Sequence, residues 1–131
     1  MHGDTRPSFI PQIAKADSMN FDYLYTFTQS NLLEVPIYFL IYRRFLTFRQ
    51  TLLIVTLANS CTHPFVFFGF MGSGWSYLTS VIIAEMFAVG GETGLHSFAS
   101  KLSWQRPFFA ALVANLFSWQ VAPALTYLFF L

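Results

Sequence analysis

Four apolar runs, each about twenty residues long and joined by short polar links, leave this chain few folds to choose from. They cover residues 21–42, 50–70, 75–98 and 107–131. A helix that crosses a bilayer needs about 20 mostly apolar residues, and in hydrocarbon each backbone N–H and C=O must be satisfied within the protein. Helices meet that demand. The polar–apolar alternation of a membrane β-barrel is missing, and the runs are too long for its strands. Composition points the same way: 10% of the residues are charged and 55% hydrophobic, whereas a soluble domain carries about 25% charged residues. The expectation is an all-α membrane protein, with four transmembrane helices in a compact bundle behind a polar N-terminal tail over residues 1–20.

That tail is not a secretory signal. Residues 1–17 mix Asp4, Arg6, Lys15 and Asp17 with Pro7 and Pro11 and have no apolar stretch. An interfacial turn is expected around residues 9–16.

The basic residues set the orientation. Arg43, Arg44 and Arg49 lie between runs one and two, and Lys101 and Arg106 between three and four. The link at residues 71–74 has no basic residue. By the positive-inside rule both basic loops face the cytoplasm, both termini lie on the other side, and a bacterial inner membrane is the expected location. Trp75, Tyr77, Trp104, Tyr127 and Tyr23 near the predicted ends suit an aromatic belt. With a net charge of +1 and no basic run, nothing points to nucleic acid. The single cysteine, Cys61, excludes an internal disulfide and reads as a small core residue.

Ionisable and amide side chains interrupt the apolar runs. The third run carries Glu85, Glu92 and His96, the first carries Glu34, the second Asn59 and His63, and the fourth Asn115. At about 1.5 Å per residue, Glu34, Asn59 and Asn115 lie roughly 12–14 Å from the basic end, His63 and Glu85 near 20 Å, and Glu92 near 9 Å. Asn59 and His63 are spaced to share a helix face, as are Glu85 and Glu92. Ala84-x-x-x-Ala88 and Gly90-x-x-x-Gly94 invite close approach of a neighbouring helix. Pro64 and Pro36 should free the carbonyls of Ser60 and Leu32.

A charge in hydrocarbon costs about 2.5–3.5 kcal/mol on insertion scales, so intramembrane acids are read first as functional. The bland reading is that Glu85 and Glu92 are protonated and tie helices together through Asn59 or Asn115. For His63 it is a satisfied core histidine beside a proline. The sharper reading is a midplane cation site formed by Glu85, Glu92, His63, Asn59 and Asn115, with Glu34 as a sixth member. Acids would supply charge, His63 a ligand or proton shuttle, and the amides neutral oxygens. The cation would be a proton or a divalent metal (zinc, manganese or iron). His96, near the basic end, is expected at the interface, and Arg106 as a topology determinant. Gly72-Ser73-Gly74 is a tight turn without the Lys of a phosphate loop.

From Asn59 onward the chain resembles a group of small bacterial integral membrane proteins carrying Asn-x-x-Thr-His-Pro, Glu-x6-Glu, an Arg and Asn-x-x-Ser. Here these are Asn59, Thr62, His63, Pro64, Glu85, Glu92, Arg106, Asn115 and Ser118. The resemblance covers the last three helices and implies the same residue list, with no established activity. Small multidrug transporters also have four helices and a first-helix Glu, but His63 and the acidic third helix depart from them. Intramembrane glutamate proteases need a Glu-Glu pair that is absent here.

Three functions follow from this reading. The first is transport or ion-coupled gating through the midplane site, in a homo-oligomer or with other membrane subunits. The second is an accessory or structural subunit of a larger membrane complex, where the polar cluster only fixes packing. The third is an intramembrane metal-dependent hydrolase; without His-Glu-x-x-His or a cysteine pair, an enzyme is disfavoured.

Overall fold

The computed structural model describes residues 9–70 and 72–130. Among them the chain forms four α-helices and no strand: α1 (Phe9–Tyr42), α2 (Phe48–Pro64), α3 (Tyr77–Ser100) and α4 (Gln105–Phe130). A π-helical extension, Phe65–Phe70, continues α2. Three helices, Phe48–Phe70, Tyr77–Ser100 and Gln105–Phe130, are long and apolar enough to cross a membrane. The first helix is not among them, because Thr26, Thr28, Gln29, Ser30, Asn31 and Glu34 dilute its apolar run.

Local sequence explains where the helices start and stop. Thr47 and Gln50 form a capping box at the start of α2, each side chain satisfying the other's backbone N–H. Ser76 caps α3 by accepting from the Thr79 N–H. Lys101 ends α3 in a left-handed conformation (φ 58°). The expected tight turn is present beyond Met71, which lies outside the described residues. There the Ser73 N–H donates to Phe70 O, and Gly74 takes φ 79°, which suits a residue without a Cβ.

One boundary differs from the sequence expectation. The first helix begins at Phe9, so it extends back through residues 9–20 of the polar tail. Pro11 falls in its first turn, where its missing N–H costs nothing, and no Gly or Pro follows before Pro36. At Pro64, expected to free the Ser60 carbonyl, the helical path continues to Phe70, the expected end of the second run. The backbone widens into the π-helical turns of Phe65–Phe70, a common adjustment where the α-helical ladder is interrupted.

Helices α1 and α3 each pack on both α2 and α4 and therefore face one another across the middle of the bundle. The apolar core joins Val35, Tyr38 and Tyr42 of α1 with Val55, Val89 and the alanines 110, 111 and 114 of α4. The outer faces are apolar too: Leu24, Leu32 and Leu40 on α1, Leu53 and Leu57 on α2, Met86 on α3 and Phe109 on α4 are exposed. Glu34, Asn59, Glu92, His96, Asn115 and Ser118 are buried inside the bundle instead.

Three expectations about faces are corrected. Cys61 is exposed on the outer side of α2, off the buried stripe of Thr51, Val55, Ala58, Asn59 and Thr62. Gly90 and Gly94 also face outward, with nothing within 4 Å of an added Cβ. The close approach on α3 occurs at Gly91, where a Cβ would lie 3.0 Å from Thr62 Cγ2. Ala84 and Ala88 are buried, as the small-residue spacing suggested.

Candidate functional site

All six residues singled out from the sequence line one cavity of about 210 Å³ between the helices: Glu34, Asn59, His63, Glu85, Glu92 and Asn115. The first helix brings in Glu34 together with Thr26, Gln29 and Ser30, which line the same cavity away from the exposed Leu24, Leu32 and Leu40. The second brings in Asn59 and His63, one turn apart. Glu85 and Glu92 lie two turns apart on α3, with Ala88 between them as a small wall residue.

Glu34 and Glu92 have matching surroundings. Glu34 accepts from Asn59 Nδ2 at 2.9 Å and from Ser118 Oγ at 2.8 Å. Glu92 accepts from Asn115 Nδ2 at 2.8 Å and from the Tyr38 hydroxyl. Both glutamates are buried, at 3% and 2% exposure. Each carboxyl thus holds an amide and a hydroxyl from different helices. A carboxylate offers about four lone-pair sites, so each retains room for a proton or a further positive partner.

The amides act differently from the expectation. Asn59 and Asn115 turn their NH₂ groups, not their oxygens, toward the acids. His63 lines the cavity, but its Nε2 lies 3.2 Å from Thr26 Oγ1, and its ring packs beside Tyr23 and Phe27. Glu85 is half-buried, and its Oε2 has no hydrogen-bond partner. Among the described residues, no three His, Cys, Asp or Glu side chains converge closely enough to hold a metal ion.

Tyr38 and His96 were missed as core polar residues by the sequence reading. His96, expected near the basic end of its helix, is fully buried between helices: the Tyr42 hydroxyl lies 2.9 Å from its Nδ1, and its ring packs 4.5 Å from that of Tyr38. The signal was available in the spacing. Tyr38 follows Glu34 by one turn, Tyr42 follows Tyr38, and His96 follows Glu92. Ser118, seen only as part of a motif, proves to be a partner of Glu34.

Electrostatically the cavity is one-sided. Three carboxyl groups line it, and among the described residues no Lys or Arg does. Arg43, Arg44, Arg49 and Arg106 lie at or beside the α1–α2 and α3–α4 loops instead, where Arg106 stacks over Phe45, 4.4 Å from the ring centroid. That contact sets the α1–α2 and α3–α4 loops side by side.

No protein-family model, curated protein or solved structure matches the chain.

Proposed function

We propose that this chain is an integral membrane protein of four spans, in a bacterial inner membrane with its basic loops cytoplasmic and both termini on the other side. Its central cavity binds a cation, and the activity is transport or ion-coupled gating. The observation that carries this reading is the cavity with three carboxyl groups, one imidazole and, among the described residues, no lining Lys or Arg. Buried charge without a partner is costly, and carboxyls in such a place take up a proton or bind a cation.

The outward leucines of α1 and its inward polar side chains support counting it as the fourth span. Its long contact with α2 and α4 hides those polar groups from lipid. A proton is the favoured cation. The amide nitrogens aimed at Glu34 and Glu92 suit a carboxyl that gains and loses a proton, whereas a metal would seek the amide oxygens. Four helices enclose little room for a pathway, so a homo-oligomer belongs to the same reading.

The test is proton flux into liposomes holding purified protein, driven by a potassium diffusion potential and followed with an internal pH dye. Flux that falls to the protein-free rate in both Glu34→Gln and Glu92→Gln, each still monodisperse in detergent, is the expected result. Undiminished flux in both variants, or none in the wild type, overturns the proposal and favours the accessory-subunit reading. Metal analysis of the same preparations separates the ions. A stoichiometric metal lost in Glu92→Gln would replace the proton with a divalent cation.

A further inference from the structure

Glu85 belongs to two cavities. It lines the central one, and it is also the one ionisable side chain among the described residues lining a groove of about 360 Å³ on the outer surface between α3 and α4. The rest of that groove is apolar. Met86 and Val89 of α3 and Phe108, Leu112 and Leu116 of α4 line it, and all but Val89 are exposed. Gly90 leaves a gap in its wall, since a Cβ there would meet nothing within 4 Å. The volume lies within the about 300–1,000 Å³ typical of small-molecule sites.

A single acid in an apolar trough needs an explanation. Glu85 Oε2 is buried and has no hydrogen-bond partner, unlike the acids Glu34 and Glu92, which each hold two donors. Among the described residues, no Lys or Arg lines either cavity. A small inorganic cation would leave the apolar walls unused, and a neutral lipid chain would leave the acid unmatched. A cation with an apolar body satisfies both at once: its charge meets the Glu85 carboxylate, and its hydrocarbon covers Leu112, Leu116 and the Phe108 ring.

We infer that the groove between α3 and α4 is a lateral binding site for lipophilic organic cations, entered from the membrane and joined to the central cavity through Glu85. This inference rests on the cation-transport reading and names its substrate class. Entry from the side accounts for an acid that faces the central cavity and the outer groove together. Gly90 keeps the trough wide enough for a bulky body.

The experiment uses tetraphenylphosphonium as the probe and tetraphenylborate, of the same shape and opposite charge, as the control, with purified protein in lipid nanodiscs. Calorimetry should show saturable, stoichiometric binding of the phosphonium and none of the borate. Loss of the carboxylate in Glu85→Gln should weaken binding at least about tenfold, since each tenfold corresponds to about 1.4 kcal/mol and a hydrogen bond or pair to a charged group contributes more than that. Gly90→Leu, which fills the groove without touching the central cavity, should weaken it comparably while the protein stays folded. Equal affinity for both ions, or wild-type affinity in Gly90→Leu, overturns the inference. Proton flux that depends on Glu92 with no phosphonium binding sinks the lateral site alone. Phosphonium binding that depends on Glu85, with no flux of either ion, sinks the transport reading alone.

Discussion

The hydroxyl of Tyr42 lies 2.9 Å from Nδ1 of His96, one helical turn from the bond between Tyr38 and Glu92 that joins the same two helices. The two tyrosines are one turn apart on α1, and their partners are one turn apart on α3. The helices run in the same direction, so the pairs stack as two rungs across the centre of the bundle. Each rung places a polar pair where a membrane protein could have used leucine. The Tyr38–Glu92 rung ends in the central cavity, so packing and cavity lining share the same side chains.

Loss of one member of the Tyr42–His96 rung should therefore hurt more than loss of both. Tyr42→Phe leaves Nδ1 of His96 without a partner beside an Nε2 that already has none. Interhelical hydrogen bonds in membranes contribute about 0.6–2 kcal/mol, and a fall of that order is expected in Tyr42→Phe. The double variant Tyr42→Phe/His96→Phe should recover part of it, because replacing both partners by apolar rings removes the unmet group. Unfolding of wild type, both single variants and the double variant in the same detergent gives the coupling energy.

On α3, glycine positions should separate by neighbour and not by motif. Gly91→Leu drives a side chain into Thr62 and should cost about 1–3 kcal/mol, the usual range for overpacking. Gly90→Ala and Gly94→Ala meet open space and should be neutral or stabilising, by up to about 1 kcal/mol from helix propensity. Thermal midpoints of the three variants check this. Equal losses at all three would contradict the assigned face of the helix.

The surroundings of Glu34 yield a third expectation. Asn59→Leu keeps the size of the side chain but removes the donor at 2.9 Å, leaving Ser118 as the other. An acid left short of partners in a buried site costs about 1–3 kcal/mol, more where it is charged. The variant should lower stability by that amount and reduce proton flux together. Asn59→Ser, which can still donate through water in the cavity, should lie between the two. A flux loss without a stability change would assign Asn59 to the pathway alone.

Orientation can be read with cysteines. Cys61 is exposed on the outside of α2, so Cys61→Ala should change stability by less than about 0.5 kcal/mol and provide a cysteine-free background. In that background Trp75→Cys and Ser103→Cys sit at opposite ends of α3, both at exposed positions. A membrane-impermeant maleimide added to intact cells should label the first and not the second. The reverse pattern would invert the proposed orientation.

Helices α2, α3 and α4 were legible in the sequence because apolar runs of that length have almost no other fate, and Thr47 and Ser76 mark two starts within two residues of those expected. Membership of the central cavity was legible as well. Acids, amides and imidazole inside apolar helices must turn from lipid, and residues at similar depth then meet. The beginning of α1 was not legible, since residues 9–20 are polar enough to read as tail and only helix continuity extends them.

Rotation and pairing needed the folded protein. Sequence spacing places Gly90, Gly94 and Cys61 on helices but cannot tell the buried face from the outer one where both are apolar. Inside a membrane the polar–apolar contrast that marks a buried stripe in water is lost, so depth was determined by the chain and azimuth by packing. Only the contact of α1 with α3 across the bundle made His96 a core residue, gave Glu92 its tyrosine and left Glu85 between an inner cavity and an outer groove.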